Sequence, residues 1–531
     1  MGTYLNPGNL DFLKALRSEI YVDKTGLIAL TNKYLNTVNQ FLCVSRPRRF
    51  GKSMALTMLA AYYSRGCDSR ELFKGLEIEN ASSFDEHLNK YDVIFLDMAT
   101  LFSRSQAKQI KMTVYLEQVV IKDLQKSYSD LFDPEETDLS VVLEQIFNET
   151  GKQFIFLIDE WDCVMRVARD ADLMQKQYLD FLSALLKGKT YVALAYMTGI
   201  LPIKKYGVHS ALNMFSEYSM TDQANFEKYT GFTEDEVKAL CSKYDMDFEE
   251  TSSWYDGYTL DKFRHIYNPK SIIIAMERHK FGNYWTSTET YDALKPYIEM
   301  NFDGLKSDII QMLGGNRVKA DTTGFQNDMR NLRTKDDVFA LLIHLGYLAY
   351  DADTMEAFIP NKEIMNEFKN AMRVSNWSEV MKVVLASNKL LEDTLRGDEG
   401  KVADALDQAH IDISSVLTYN DESCLACAVR LAYFSAIDDY KIIREFPTGY
   451  GFADIVFLPL PSRNKPAIVV ELKYDKSENT AIEQIKNKKY PEALTRFSGE
   501  IVLVGINYNK ENKKHTCKIE RINCSANGKI K

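Results

Sequence analysis

Two short stretches hold side chains whose types and spacing suit phosphate chemistry. Residues 42–53 read LCVSRPRRFGKS and residues 153–162 read QFIFLIDEWD. The first is an apolar strand, Phe41 to Val44, running into the basic loop Arg46-Pro47-Arg48-Arg49-Phe50. That loop ends Gly51-Lys52-Ser53-Met54 and opens a helix. The spacing is the P-loop pattern G-x-x-x-x-G-K-[ST], with Arg46 where the first Gly is expected. In such a loop, backbone N–H groups at a helix N-terminus cradle phosphates. Lys52 would reach the terminal phosphates and Ser53 would ligate Mg²⁺. Residues 46–54 are therefore the candidate nucleotide-binding segment, with ATP as the expected ligand. The second stretch is an apolar strand ending in Asp159-Glu160, where Asp159 would complete the Mg²⁺ shell and Glu160 would polarise the attacking water. A G-K-S triplet alone often only starts a helix, and a strand ending in Asp-Glu is often a capped turn. The two in this order, each on a strand, point to a nucleotide site.

A second constellation lies near the C-terminus. EFPTGYGFADIVFLPL places Asp454 at the start of an apolar strand, and PAIVVELKYDK places Glu471-Leu472-Lys473 at the end of the next. Pro459, Pro461 and Asn464 form the turn between them, so a hairpin brings Asp454 near Glu471. Two strand-borne carboxylates beside a lysine suit metal-dependent phosphodiester hydrolysis. The carboxylates would hold Mg²⁺ or Mn²⁺, and Lys473 would position hydroxide or offset developing charge. Gln484 and Tyr490 follow on a helical stretch, and YNDESCLACAVRLAYFSA places Glu422 early in a helix, where it could reach the same metal. Carboxylates at strand ends are more often caps and ion pairs; here their convergence favours the site. From residue 480 onward Lys486, Lys488, Lys489, Arg496, Lys510, Lys513, Lys514, Lys518, Arg521, Lys529 and Lys531 outnumber the acids, a candidate footprint for a phosphate backbone.

The elements that must position these groups are legible as patterns. Apolar runs at 41–44, 93–97, 154–159 and 191–198 alternate with helical segments at 53–64, 105–128, 139–147 and 173–187. This alternation predicts a doubly wound parallel sheet with ligands at the carboxyl ends of its strands. Asp97, Asp159-Glu160 and Thr198 fall at such ends. Thr198, before Gly199, is placed either to orient the attacking water or simply to cap the strand. GFTEDEVKALCSKY reads as a helix capped by Thr233, with Glu236 at its third position. The aromatic-rich stretch after it favours a small lid core over a base-stacking platform. Residues 335–372 read helix, two short strands, helix, a winged-helix pattern whose mixed charges favour packing over DNA binding.

The 531 residues are too many for one ordinary core, and 45% hydrophobic with 26% charged residues is a soluble globular composition. The formal net charge of -10 argues against a chain that coats nucleic acid, while leaving room for a local basic face. No apolar run reaches membrane-spanning length and no signal pattern opens the chain, so the expected location is the cytoplasm, with no membrane partner. The 8 Cys are scattered, and reduced thiols are preferred over a zinc or iron–sulfur site at Cys424, Cys427, Cys517 and Cys524.

Taken together, NPGNLDF, YVDKTGLI, SRPRRFGKSM, FLIDEWD, TGILPIKK, SALNMFSEY, WYDGY, YNPKS, NYWTST, YNDES, GYGFADIVF and VVELKY resemble a bacterial family over nearly the whole chain. It comprises AAA-like ATPases fused to a C-terminal PD-(D/E)XK-superfamily nuclease domain, in which Arg at position 46 is usual. The resemblance implies Glu160 as catalytic base and Thr198 as sensor. It implies Glu422, Asp454, Glu471 and Lys473 as the nuclease set, with Gln484 and Tyr490 in support. It also suggests work in mobile elements or in defence against foreign DNA. The expected organisation is an AAA-like P-loop ATPase domain at 1–225, a helical lid at 226–300, a winged-helix-like region at 301–375 and an α/β PD-(D/E)XK nuclease-like domain at 376–531. The expected function is ATP binding and hydrolysis coupled to metal-dependent cleavage of nucleic acid, DNA before RNA, with a homo-oligomer allowed. The alternative is an ATP-driven signalling or DNA-binding switch whose nuclease fold is inactive.

Overall fold

A computed structural model describes residues 2–203, 212–222, 224–260, 263–285, 294–300, 302–325, 332–373, 375, 377–413, 422–447, 451–461, 463–488, 490, 494 and 499–523. They form two compact units. The first comprises Met1–Ala239, Gly257–Glu277 and Ala320–Met355, the second Leu240–Asp256, Arg278–Lys319 and Glu356–Lys531.

The first unit is built on a five-stranded parallel sheet: β1 (Phe41–Ser45), β2 (Asp92–Asp97), β3 (Phe154–Asp159), β4 (Val192–Gly199) and β5 (Ser216–Tyr218), in the order β2-β3-β4-β1-β5. The strands are unbroken apolar runs because both faces are covered. Phe41, Cys43, Phe154, Phe156 and Ile158 enter one core. Their neighbours Leu42, Val44, Ile155 and Leu157 enter the other. Four of the five strands lie where the apolar runs predict them. β5 has only three residues, Ser-Glu-Tyr, and carries no such signal. The strand order matters for chemistry, because β4 lies between β1 and β3 and sets Thr198 level with Val44.

Thr233 and Glu236 close a reciprocal cap on the helix Glu234–Tyr244, as the pattern predicts: Glu236 accepts from Thr233 N at 2.8 Å, and Thr233 Oγ1 accepts from Glu236 N. In the aromatic-rich stretch, Tyr255, Tyr258, Tyr267, Tyr284 and Trp285 are each buried and offer no stacking surface. Helix Lys335–Leu345, strands Ala349–Asp351 and Glu356–Phe358, and helix Lys362–Arg373 follow in the order read from sequence.

The second unit carries a mixed sheet. Strands Tyr440–Pro447, Phe452–Pro459 and Ala467–Tyr474 pair antiparallel in turn. Ala467–Tyr474 then pairs parallel with Glu500–Asn509, which pairs antiparallel with Lys514–Asn523. The parallel step requires a crossover, supplied by helix Glu478–Asn487. That helix lies so close that a Cβ on Gly505 would sit 2.5 Å from the Glu478 carbonyl oxygen, so only glycine fits there.

Candidate active sites

The loop after β1 is shaped by two residues in the left-handed region, Arg49 at φ 68 and Gly51 at φ 86. Such turns point successive N–H groups inward, a form suited to anions. Lys52 opens the helix Lys52–Tyr63 and its ammonium donates to the carbonyls of Arg46 and Pro47, both at 2.8 Å. Burial lowers it from 10.5 to about 8, an effect that Asp162, Asp159 and Glu160 oppose. Arg46 lies fully buried: it donates to Thr230 Oγ1 at 3.0 Å and to the Ser45 and Tyr218 carbonyls at 2.8 and 2.9 Å. Its side chain anchors the base of the loop, and its backbone is engaged as well: the N–H donates to the Gly199 carbonyl at 3.0 Å and the carbonyl accepts from Lys52. Phe50 is also buried, edge-on to Tyr258 at 5.3 Å, whereas Arg48, Ser53 and Met54 are exposed.

Asp159 accepts from Thr198 Oγ1 at 2.6 Å and from Glu160 N at 3.0 Å, and Ser53 bonds to the same carboxylate. Burial holds it above the usual carboxylate range. Thr198 thus orients Asp159. Glu160 has φ 49, a strained setting for a residue with a Cβ. Its Oε2 accepts from Arg166 at 2.7 Å. Arg166 also pairs with the buried Asp162 at 3.0 Å, and Asp162 accepts from the amides of Ile200 and Leu201. Asp162 and Arg166 therefore tie the Glu160 turn to the end of β4. Sequence reading passed over this pair, although its i,i+4 spacing is the available signal. Asp97, level with Asp159 in the sheet, instead caps the next helix through Thr100. A cleft of about 330 Å³ borders Gly51 and Met54, with Phe12, Tyr21, Phe232 and Ile273 in its walls.

In the second unit, Glu471 is fully buried and its Oε1 accepts from Lys473 at 2.9 Å and from Gln484. Among the described residues its Oε2, also buried, has no hydrogen-bond partner. Burial and the neighbouring Asp454 raise Glu471 to about 7. Asp454 accepts from Leu472 N at 2.7 Å, which joins its strand to the E-x-K strand. Lys473 also donates to the Leu472 carbonyl at 2.9 Å. Tyr490 receives a long contact from Gln484, at 3.4 Å, and donates to the Phe452 carbonyl at 2.7 Å. Asp454, Glu471, Lys473, Gln484 and Tyr490 therefore converge. Glu422 begins the helix Glu422–Ala432, but its side chain lies outside the described residues. The donor chemistry fits a hard divalent cation: two carboxylates, one with an unused buried oxygen.

The basic run is largely committed to the protein itself. Lys486, Lys510, Lys514, Lys518 and Arg521 pair with Glu520, Asp475, Asp407, Glu399 and Glu500. Lys488 and Lys513 are exposed, and Lys489, Arg496, Lys529 and Lys531 lie outside the described residues. Cys427 is buried, with its thiol raised to about 12 by that burial. Among the described residues no group of three His, Cys, Asp or Glu could hold a metal, and Cys524 is not among them. No helix among the described residues is long and apolar enough to cross a membrane.

Residues 10–209 match the family described as "Predicted AAA-ATPase", and residues 420–518 match the PD-(D/E)XK nuclease superfamily. A curated relative, "Uncharacterized protein in vnfD 5'region" of Azotobacter chroococcum mcd 1, is 24% identical over 295 residues, covering 51% of each chain. This chain spans about half the length of the curated relative it matches.

Proposed function

We propose that the chain binds and hydrolyses ATP in its first unit and cleaves nucleic acid, DNA before RNA, in its second. The two family matches support an ATPase-like and a nuclease-like domain. The observation that carries the nuclease reading is Glu471, whose buried oxygen without a partner stands beside a second carboxylate and a buried lysine.

At the first site the amides of residues 49–53 and Lys52 bind the phosphates, with the base in the cleft beside Gly51 and Met54. Ser53 and Asp159 would hold Mg²⁺, and Glu160 takes the proton of the attacking water. At the second, Asp454 and Glu471 would hold the divalent cation, Mg²⁺ or Mn²⁺. When bound, such a cation supplies Lewis acidity and hydroxide at neutral pH. Lys473, fixed by Glu471 Oε1 and the Leu472 carbonyl, stabilises negative charge on the phosphate, and Gln484 holds Glu471 in place. An inactive fold used only for binding is the competing reading. It gives no role to a buried lysine pinned on a buried carboxylate, an arrangement costly to maintain without function.

The test incubates the purified chain with linear and circular DNA, with and without ATP and with Mg²⁺, Mn²⁺ or chelator. Metal-dependent cleavage is expected. Intact DNA under every condition, with ATP turned over, would establish the switch reading.

A further inference from the structure

Among the described residues, Phe452 is the one strongly exposed aromatic side chain, at 63%. The other large apolar residues this exposed among the described ones are Leu, Val or Ile. Its position is specific. It lies two residues before Asp454 on the same strand, and side chains two apart share a face. Its backbone is held on both sides, by pairing with Pro447 and by the 2.7 Å bond from Tyr490 to its carbonyl. Gly451 before it has φ 153, and the aliphatic stem of Lys488 passes over that glycine, 3.6 Å from where a Cβ would sit. A water-exposed ring therefore stands on a backbone held at both sides, two residues from Asp454, with the Lys488 stem against the glycine before it.

We propose that Phe452 stacks on a nucleobase of the substrate, and that the site prefers a nucleic acid with an unpaired nucleotide beside the scissile phosphate. The proposal rests on the nuclease reading of Asp454 and Glu471. Every base has a π-face, so one protruding ring gives affinity without sequence choice. Bases inside a duplex already stack on each other. Only a base that has lost a neighbour gains from the ring, so the preference is for single strands, frayed ends or flaps. Lys488 is placed to meet the adjoining phosphate.

The test uses the full chain in EDTA, so that binding is read without cleavage. Its probes are a single-stranded oligonucleotide carrying 2-aminopurine and the matching duplex. The wild type should bind the single strand more tightly and quench the 2-aminopurine. Phe452→Ala should bind the single strand about tenfold more weakly and lose the quench, with duplex binding little changed. Phe452→Trp should retain both, which separates stacking from misfolding. Equal single-strand binding by wild type and Phe452→Ala, or a wild-type preference for duplex, overturns the stacking role. If the wild type cleaves DNA with metal in either case, the nuclease reading survives that result. If it neither binds nor cleaves either probe, both fall.

Discussion

Lys52 and Glu471 are both buried charged groups at candidate sites, and they are buried with opposite deficits. Lys52 is a cation whose ammonium donates to two loop carbonyls, and burial lowers it to about 8. Glu471 is a carboxylate with a second carboxylate beside it, and burial raises it to about 7. Each site disfavours its own charge and so favours a partner of the opposite sign: an anion at the loop, a cation at the carboxylates. The supports differ as well. The loop site gathers groups from the ends of three strands and uses backbone amides that no side-chain substitution removes. The carboxylate site depends on side chains from two adjacent strands and one helix. Single substitutions should therefore divide the two activities cleanly.

The most disruptive change at the loop is Lys52→Ala, which removes the cation proposed to meet the terminal phosphates. Binding of a fluorescent ATP analogue should fall below detection while metal-dependent DNA cleavage without ATP persists. Glu160→Gln should bind the analogue normally and hydrolyse ATP about 10²–10⁴-fold more slowly, the usual contribution of a general base. Equal turnover by wild type and variant would remove Glu160 from the mechanism. Asp162→Ala removes the carboxylate that accepts from Arg166 and from the Ile200 and Leu201 amides just after β4, and leaves Arg166 to Glu160. It should destabilise the chain by about 3–5 kcal/mol, read from the denaturant midpoint, a range set by broken buried ion pairs. The smallest effect concerns pH. Near pH 8.5, above its value of about 8, Lys52 is mostly neutral in the ATP-free protein, and phosphates favour the ammonium. ATP binding should then take up protons, and affinity should fall as pH rises through about 8 to 9. Calorimetry in buffers of different ionisation enthalpy reads the uptake, and proton release would contradict the assignment.

How far each feature could be read from the sequence depends on how local its cause is. β1 to β4 were legible because burial on both faces writes an unbroken apolar run. β5 was not, since Ser-Glu-Tyr is short and polar and is held by pairing with β1. The loop, Asp159, Asp454 and Glu471-Leu472-Lys473 follow from spacing alone. Arg46 did not: its partners Tyr218 and Thr230 lie more than a hundred residues along the chain. The basic C-terminal run shows the same limit, since counting charges does not show that Lys486, Lys514 and Arg521 each face an acid. Exposed pairs of this kind contribute only about 0.2–1 kcal/mol each, so nucleic acid could still displace them.

The chain is proposed to carry two separate activities, with phosphodiester cleavage at the carboxylate pair. Glu471→Gln tests this most directly, because the substitution keeps shape and removes charge at a position already raised to about 7. Wild type and variant would be compared for ATP turnover and for cleavage of single-stranded and circular DNA with Mg²⁺ or Mn²⁺. Unchanged turnover and cleavage below detection are expected in the variant. Cleavage equal to wild type, or turnover lost along with cleavage, would contradict the proposal.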